Sequence, residues 1–515
     1  MVETNPSQKS GSTARKKKPR ILIVTPEITY LPNGMGNMSN KMKAKAGGLA
    51  DVSATLVTEL YNHGADVHVA LPHYRKMFNI DVNNLMQNEL RVYLNNLSSE
   101  RIHLAEDRAF YYCDSVYSTY GNDNYKIALA FQREVINNII PAVKPDLIHC
   151  NDWMTGLIPA YAKRVGIPCL FTVHNIHTNK VPMEMIEDRG IDAAEFWDNL
   201  YFEKRPYSYE ESRSTNPVDM LNTGIFASSF INTVSPTFLD EVSMGHHSFI
   251  PNETRIEISN KRSQGFASGI LNAPDAMDNP RCDDSLVMKY DESNHVEAKA
   301  KNKAKFQKQC GLSIDPDAPI FFWPSRLDPV QKGCQLLADI LYKTTETYHK
   351  EKLQVAIVAN GAYQSVFQEI VKFHGLQKRV AVVDFDDTLS HLGFGAADFV
   401  LMPSLFEPCG LPQMIGSIYG TLPIVHATGG LKDTVKDLNV KENKGNGFSF
   451  NDYDSSALSW AIGEAMKFYK LKPEVKAAQI SRIMEHSNQI FSHEQTAAEY
   501  VKLYESIMHH PVFNQ

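Results

Sequence analysis

Short runs of consecutive apolar residues punctuate the chain in two separate series. The first series is 21–25 (ILIVT), 65–72, 146–149, 168–173 and 230–234; the second is 319–323 (PIFFW), 353–358, 380–385, 399–402 and 422–425. A strand that is apolar on both faces must be covered on both faces, the condition met by a parallel sheet with helices above and below it. Intervening stretches such as 49–62 and 155–165 have the helical spacing that would supply this cover. The pattern predicts an α/β chain with two doubly wound domains facing across a cleft, and ligands of such sheets bind beyond the carboxyl ends of the strands. A stretch at 272–317, rich in Asp, Asn, Lys and Pro and containing a helix at 294–310, separates the series and puts the hinge near 273–285. The expected division is a basic disordered tail (1–19), a first Rossmann-like domain (20–275), a second (276–490) and a C-terminal helix in 491–515 packing back on the body. Further helices are expected at 455–469, 474–486 and 495–509.

Composition narrows the function classes. At roughly 100–200 residues per domain, 515 residues accommodate two or three domains. Lys plus Arg number 52 against 59 Asp plus Glu, a net charge of −7, which disfavours a partner held by bulk positive charge, whether nucleic acid or membrane surface. The seven cysteines are scattered without a C-x-x-C pair and read as reduced thiols. No apolar run approaches the roughly 20 residues needed to span a bilayer, and the N-terminus lacks a signal-peptide pattern. The expectation is a cytoplasmic protein with no membrane and no nucleic-acid partner.

Chemistry concentrates where strands give way to helices. In KAGGLADV (45–52), Gly47 and Gly48 permit close backbone approach, and a helix start favours an anionic phosphate. In SRLDPVQKG (325–333), Arg326 and Lys332 can neutralise a diphosphate without a metal. In SLFEPCGLPQ (404–413), the Glu407 carboxylate can bind sugar hydroxyls while the amides after it meet phosphate. Thr428 opens a second strand, Gly-Gly, helix arrangement (TGGL, 428–431), suited to another part of a nucleotide. His174 and Asp152 follow strands and so point to the cleft. Taken singly, each has a structural reading: a tight turn for the glycines, solvated charges for Arg326 and Lys332, a helix cap for Glu407, a satisfied core histidine for His174. His174 and His177 lack the further ligands of a metal site. GFGAAD (393–398) lacks the third glycine of a dinucleotide fingerprint.

With these motifs in order, the sequence resembles the bacterial glycogen synthase and plant starch synthase family of retaining glucosyltransferases over about 19–504. KAGGLAD, SRL with QKG, FEPCGL and GTLPIV followed by TGGLKDT carry the resemblance, supported by GILNAPD (269–275) and Asn302-Lys303. It implies a GT-B fold with an acceptor-side first domain, a nucleotide-sugar-binding second domain, a nucleoside diphosphate glucose as substrate and no metal or other cofactor. By motif position, Lys45, Gly47, Gly48, Arg326, Lys332 and Thr428 would serve the donor, and the Gly410 and Leu411 amides its phosphate. Glu407 would hold the transferring glucose, His174 and Asp152 would lie beside it, and Asn272 would stand near it at the hinge. Phe385 falls where the family stacks a tyrosine on the base, and Asp51 falls on the acceptor side. The catalytic set so implied is His174, Asp152, Glu407, Arg326 and Lys332, transferring glucose from ADP-glucose or UDP-glucose to an α-1,4-glucan. The same fold could instead serve another acceptor, or bind a glucan or nucleotide sugar without catalysis. Nothing in the motifs sets an oligomeric state.

The departures cluster on the acceptor and phosphate sides. They are an extra polar stretch at 33–41, Asn151 in place of a histidine, HNIHTNK at 174–180, one additional residue between Arg326 and Lys332, Leu405 for an arginine and Pro412 for a threonine.

Overall fold

The computed structural model describes residues 18–36, 42–78, 101–117 and 124–513. Most of the basic tail and residues 37–41 of the extra polar stretch lie outside them. The first sheet is built from β1 (Arg20–Val24), β2 (Asp66–Pro72), β3 (Ile102–Ala105), β4 (Leu147–Asn151) and β5 (Cys169–Val173). A small antiparallel pair, β6 (Lys180–Val181) and β7 (Val218–Asp219), precedes its last strands, β8 (Phe230–Thr233) and β9 (Ala267–Gly269). The order is β3-β2-β1-β4-β5-β8-β9, all parallel. In the second domain β10 (Ile320–Trp323), β11 (Gln354–Val358), β12 (Val380–Val383), β13 (Phe399–Met402), β14 (Leu422–His426) and β15 (Phe448–Phe450) form a parallel sheet ordered β12-β11-β10-β13-β14-β15. Two doubly wound domains are therefore present. Ile21 to Val24 and Ile320 to Trp323 are buried throughout, as strands covered on both faces must be.

In the two large sheets, three strands escape the apolar-run reading. Ile102–Ala105, Ala267–Gly269 and Phe448–Phe450 are short edge strands with half-exposed positions, so no unbroken apolar run marks them. The helix expected over 155–165 is split into a 3₁₀ turn, Trp153–Thr155, and a helix, Ile158–Val165. Gly156 lies between them, so close to the backbone at Met220 that a Cβ there would fall 1.9 Å from the Met220 carbonyl oxygen.

The polar connection belongs structurally to the second domain. Its Leu286 and Tyr290 enter that domain's core, and the Asn302 side-chain oxygen accepts the Val287 and Met288 amides. Lys303 ties the helix His295–Cys310 to the Ala318 carbonyl and to Asp398 at 2.9 Å. The helix Pro473–Ile490 also packs there through Ile483 and Met484. The chain then recrosses the boundary. The last helix, His493–Met508, places Tyr500, Leu503 and Tyr504 in the core of the first domain. Tyr504 Oη and His149 Nδ1 are hydrogen-bonded at 2.7 Å, and Asn232 Nδ2 donates to Tyr500 Oη at 2.9 Å. Among the described residues no helix is long and apolar enough to cross a membrane.

Candidate active site

The carboxyl ends of both sheets supply the site. After β10 the chain enters the Arg326 loop, where Asp328 Oδ1 accepts the Val330 and Gln331 amides at 2.9 and 2.8 Å. This turn absorbs the additional residue between Arg326 and Lys332. It ends at Gly333, whose φ of +70° and position, 2.0 Å from the Pro403 carbonyl for an added Cβ, admit only glycine. Lys332 is thereby aimed at the loop after β13, where its Nζ lies 2.5 Å from Glu407 Oε2; Ser404 Oγ donates to the same oxygen at 3.0 Å. Both members of this pair are more than 90% buried. Lys332, expected on a diphosphate, here neutralises Glu407, while Arg326 is the exposed cation of the loop.

His174 and Asp152 also meet. Asp152 follows β4 in a positive-φ conformation (+58°) that L-residues adopt at a cost, and its Oδ1 accepts the amides of His174 at 2.7 Å and Asn175 at 3.4 Å. Burial pushes the Asp152 carboxyl up to about 7 against the pull of these two donors. Burial also lowers the His174 imidazolium to about 3, so the ring is neutral near pH 7. Asn151 Nδ2 donates to the Val24 carbonyl, which leaves its Oδ1 facing His174 Nε2 at 3.0 Å. The hydrogen-bonding pattern thus assigns the ring proton to Nε2 and the lone pair to Nδ1. Asn151, a departure from the family pattern, orients the histidine.

Across the cleft, a Cβ added at Gly48 would lie 3.4 Å from Leu411 Cδ1, so the two glycine-bearing loops meet. Gly410 has a φ of +76°, and Pro412 takes the first position of the helix Pro412–Ile418, where a missing N–H disturbs no helical bond. Asn272 is buried at the hinge, its Oδ1 without a partner among the described residues and its backbone bonded to the Cys409 thiol. An unpaired buried amide oxygen is costly and suits a hydroxyl-bearing ligand. Phe385 is half exposed just beyond β12, with its amide on Asn360 Oδ1 at 3.0 Å.

Three of the groups expected on the donor already have protein partners. The Gly47 amide is not free for phosphate, because Glu27 Oε2 accepts the Ala46 and Gly47 N–H groups at 2.8 and 3.0 Å. Lys45 pairs with Asp51 at 2.9 Å, and Asp51 is held in turn by Thr29. Although burial works against its charge, Asp51 keeps the Lys45 ammonium above its ordinary range. At Thr428 the Oγ1 donates to Glu241 Oε2 at 3.0 Å and the Gly429 N–H donates to the same carboxylate at 3.1 Å. Glu27 and Glu241 are acids that no motif singled out. Phe249, from the first domain, lies with its ring centroid 4.1 Å from that of Phe406, adding a second unforeseen contact between domains.

Two facing doubly wound domains, with a buried cation–carboxylate pair and an exposed arginine at their carboxyl ends, define a GT-B glycosyltransferase. Residues 20–250 match the starch synthase catalytic domain family and 305–481 match glycosyl transferases group 1. The glycogen synthase of Exiguobacterium sibiricum is 33% identical over 489 residues, covering 90% of this chain and 96% of that protein. That of Thermotoga maritima is 31% identical over 496 residues, with coverage of 90% and 96%. The chain belongs to the glycogen synthase and starch synthase family. Among solved structures, the catalytic domain of starch synthase IV from Arabidopsis thaliana, bound to ADP and acarbose, superposes with a TM-score of 0.77 at 24% identity, covering 96% of this chain and all of that one. HepE of Anabaena, in complex with UDP and glucose, reaches 0.52 at 14% identity, covering 95% of this chain and all of that one.

Proposed function

We propose that the protein extends an α-1,4-glucan at its non-reducing end, taking glucose from ADP-glucose or UDP-glucose with retention of configuration. The observation that carries this reading is the buried pairing of Glu407 with Lys332, which shares its loop with Arg326. Lys332 and Arg326 together supply the positive charge on which a diphosphate leaving group can depart. As the bond from glucose C1 to the phosphate oxygen breaks, C1 gains oxocarbenium character, and the acceptor hydroxyl attacks from the face that the phosphate leaves. The new C1–O bond forms while the hydroxyl proton passes to a phosphate oxygen, so no protein nucleophile is required. Glu407 holds the sugar and stabilises positive charge, and neutral His174 and the Asn272 amide oxygen provide hydrogen-bonding groups for its hydroxyls. Phe385 offers a ring to the base. No metal enters this scheme.

The glycogen synthase relatives support the glucan acceptor, and the ADP in the starch synthase IV structure supports an adenine nucleotide as the first donor to test. Buried Cys150 and Cys169, side by side as thiols at 3.8 Å, suit a reducing, cytoplasmic compartment. A second reading, transfer to another acceptor, draws on the altered 174–180 segment, which is folded against Asp219 by the Thr178 hydroxyl at 2.8 Å. Labelled glucose incorporation into glycogen from each donor, with released nucleoside diphosphate followed in the same tubes, tests the reading. Polymer growth supports glucan synthesis and identifies the donor. Nucleotide release without growth favours the second reading, and neither event leaves only a binding protein.

A further inference from the structure

The amino-terminal edge of the first sheet, opposite the cleft, carries a charged cavity that the glycosyl-transfer site does not use. Its volume is about 240 Å³, and it is lined by Arg20 from β1, Asp66 and His68 from β2, and Arg101 and His103 at the start of β3. The helix Ile140–Val143 closes one side. Asp66 organises the group: its Oδ2 accepts from Arg20 Nε at 3.2 Å, its Oδ1 pairs with His68 Nε2 at 3.2 Å, and the Arg101 guanidinium lies 3.8 Å away. His68 Nδ1 and His103 Nε2 are 2.9 Å apart. With the His68 Nε2 proton given to Asp66, His68 Nδ1 accepts and His103 Nε2 donates, so His103 Nδ1 carries the remaining lone pair.

Two guanidinium groups against one carboxylate leave an excess positive charge in the cavity, in a chain whose net charge is −7. The other bonds of Arg20 and Arg101 go to the Val143 and Ala65 carbonyls. Each guanidinium has five N–H donors, more than these contacts consume. Outside the lining, the Asp146 carboxylate accepts the Arg20 backbone amide at 2.7 Å, and the Tyr61 ring lies under Arg101. A simple structural ion pair needs one arginine per carboxylate, and neither a second arginine nor a histidine relay ending in a free lone pair. We propose that this cavity binds the dianionic head of a phosphate monoester, held by Arg20 and Arg101 with His103 as a third donor once protonated. Planar guanidinium groups match phosphate oxygens in pairs, and the protonated His103 Nδ1 would supply a charge-assisted bond. Burial, then the charges of His68 and Arg20, hold His103 down at about 4, so an anion placed beside it should raise that value.

The test is nuclear magnetic resonance of the full chain with labelled histidine rings, titrated at neutral pH with inorganic phosphate and with methyl phosphate. The Arg326→Met chain, which lacks a cation of the cleft, is titrated in parallel, and His103→Gln assigns the resonance. Both probes should shift the His103 ring nitrogens saturably and raise the apparent pKa of that ring. Arg101→Met should weaken binding at least about tenfold, the scale of losing one charge-assisted contact, whereas Arg326→Met should leave the His103 response intact. An unmoved His103 in the unmutated chain would overturn the proposal, and that measurement does not depend on any variant folding. Unchanged affinity in Arg101→Met, or loss of the response in Arg326→Met, would overturn it equally. Binding of inorganic phosphate but not methyl phosphate would refute a monoester site.

Discussion

Glu241 and Asp433 cap each other's helices across the domain boundary. Glu241, on the first-domain helix Pro236–Met244, accepts the amide of Gly429, the first residue of the second-domain helix Gly429–Thr434. Asp433, on that second helix, accepts from Thr237 N at 3.1 Å and from Ser235 Oγ at 2.5 Å at the start of the first. Each carboxylate thus meets the positive end of the other's helix dipole. His247 Nε2 supports Glu241 at 2.9 Å. Glu241→Ala and Asp433→Ala should each cost about 1 kcal/mol, the scale of a lost cap. The double variant should cost less than the sum, because the two caps share one interface. Urea denaturation measures the stabilities, and a rise in donor KM with little change in kcat would show that the domains are held together less well.

The buried Lys332–Glu407 pair should be intolerant of losing either partner. Lys332→Met or Glu407→Gln should reduce turnover by at least about 10²-fold. Removing one charge from a buried pair also destabilises by about 3–5 kcal/mol, so circular dichroism must show a folded protein before the kinetics are read. Near-normal turnover in a folded variant would refute the assigned roles.

Arg326 is exposed and should behave differently. Arg326→Met should leave unfolding unchanged within about 0.5 kcal/mol, as surface substitutions usually do, while raising the donor KM. Unchanged kinetics would remove Arg326 from the donor site.

Asp152 and His174 make opposite contributions to the dependence of stability on pH. Asp152 titrates at about 7 in the folded chain and near its ordinary acidic value when unfolded, so its contribution is present at low pH and is lost as pH rises toward 7. His174 titrates at about 3 when folded and near its ordinary value when unfolded, so its contribution is present at neutral pH and is lost as pH falls from about 6.5 toward 3. Relative to the parent, Asp152→Asn should gain stability between pH 5 and pH 7, and His174→Gln should gain it between pH 7 and pH 5. Parallel stability curves for parent and variants would contradict these assignments.

A metal-independent transfer predicts that excess EDTA leaves the initial rate of glucose incorporation unchanged. Strong inhibition, restored by a divalent cation, would overturn that part of the proposed chemistry.

What the sequence reveals follows from how locally each feature is encoded. Ile21 to Val24 and Ile320 to Trp323 are legible as strands because burial on both faces leaves an unbroken apolar run. Ala267–Gly269 is not, because an edge strand needs only backbone pairing with β8. Glu407, Lys332 and Arg326 stand out because charged residues interrupt glycine- and proline-bearing turns after such runs. Their partners are harder to read. The Glu241 carboxylate meets an amide 188 residues away, and Glu27 occupies the Gly47 amide that looks available when the motif is read alone. Such pairings depend on where two separately folded layers come to rest, for which neither propensity nor spacing leaves a trace.

The seating of His493–Met508 on the first domain has a consequence for how the chain is made. Tyr504 bonds to His149 over a separation of 355 residues, and Tyr500 bonds to Asn232 over 268. The strands of the first sheet are synthesised hundreds of residues before the side chains that cover this part of its core. The domain begun first therefore completes its packing only after the second domain has been made. Nascent chains arrested before residue 493 should leave His149 and Asn232 uncovered and bind chaperones that recognise exposed core, whereas released full chains should not.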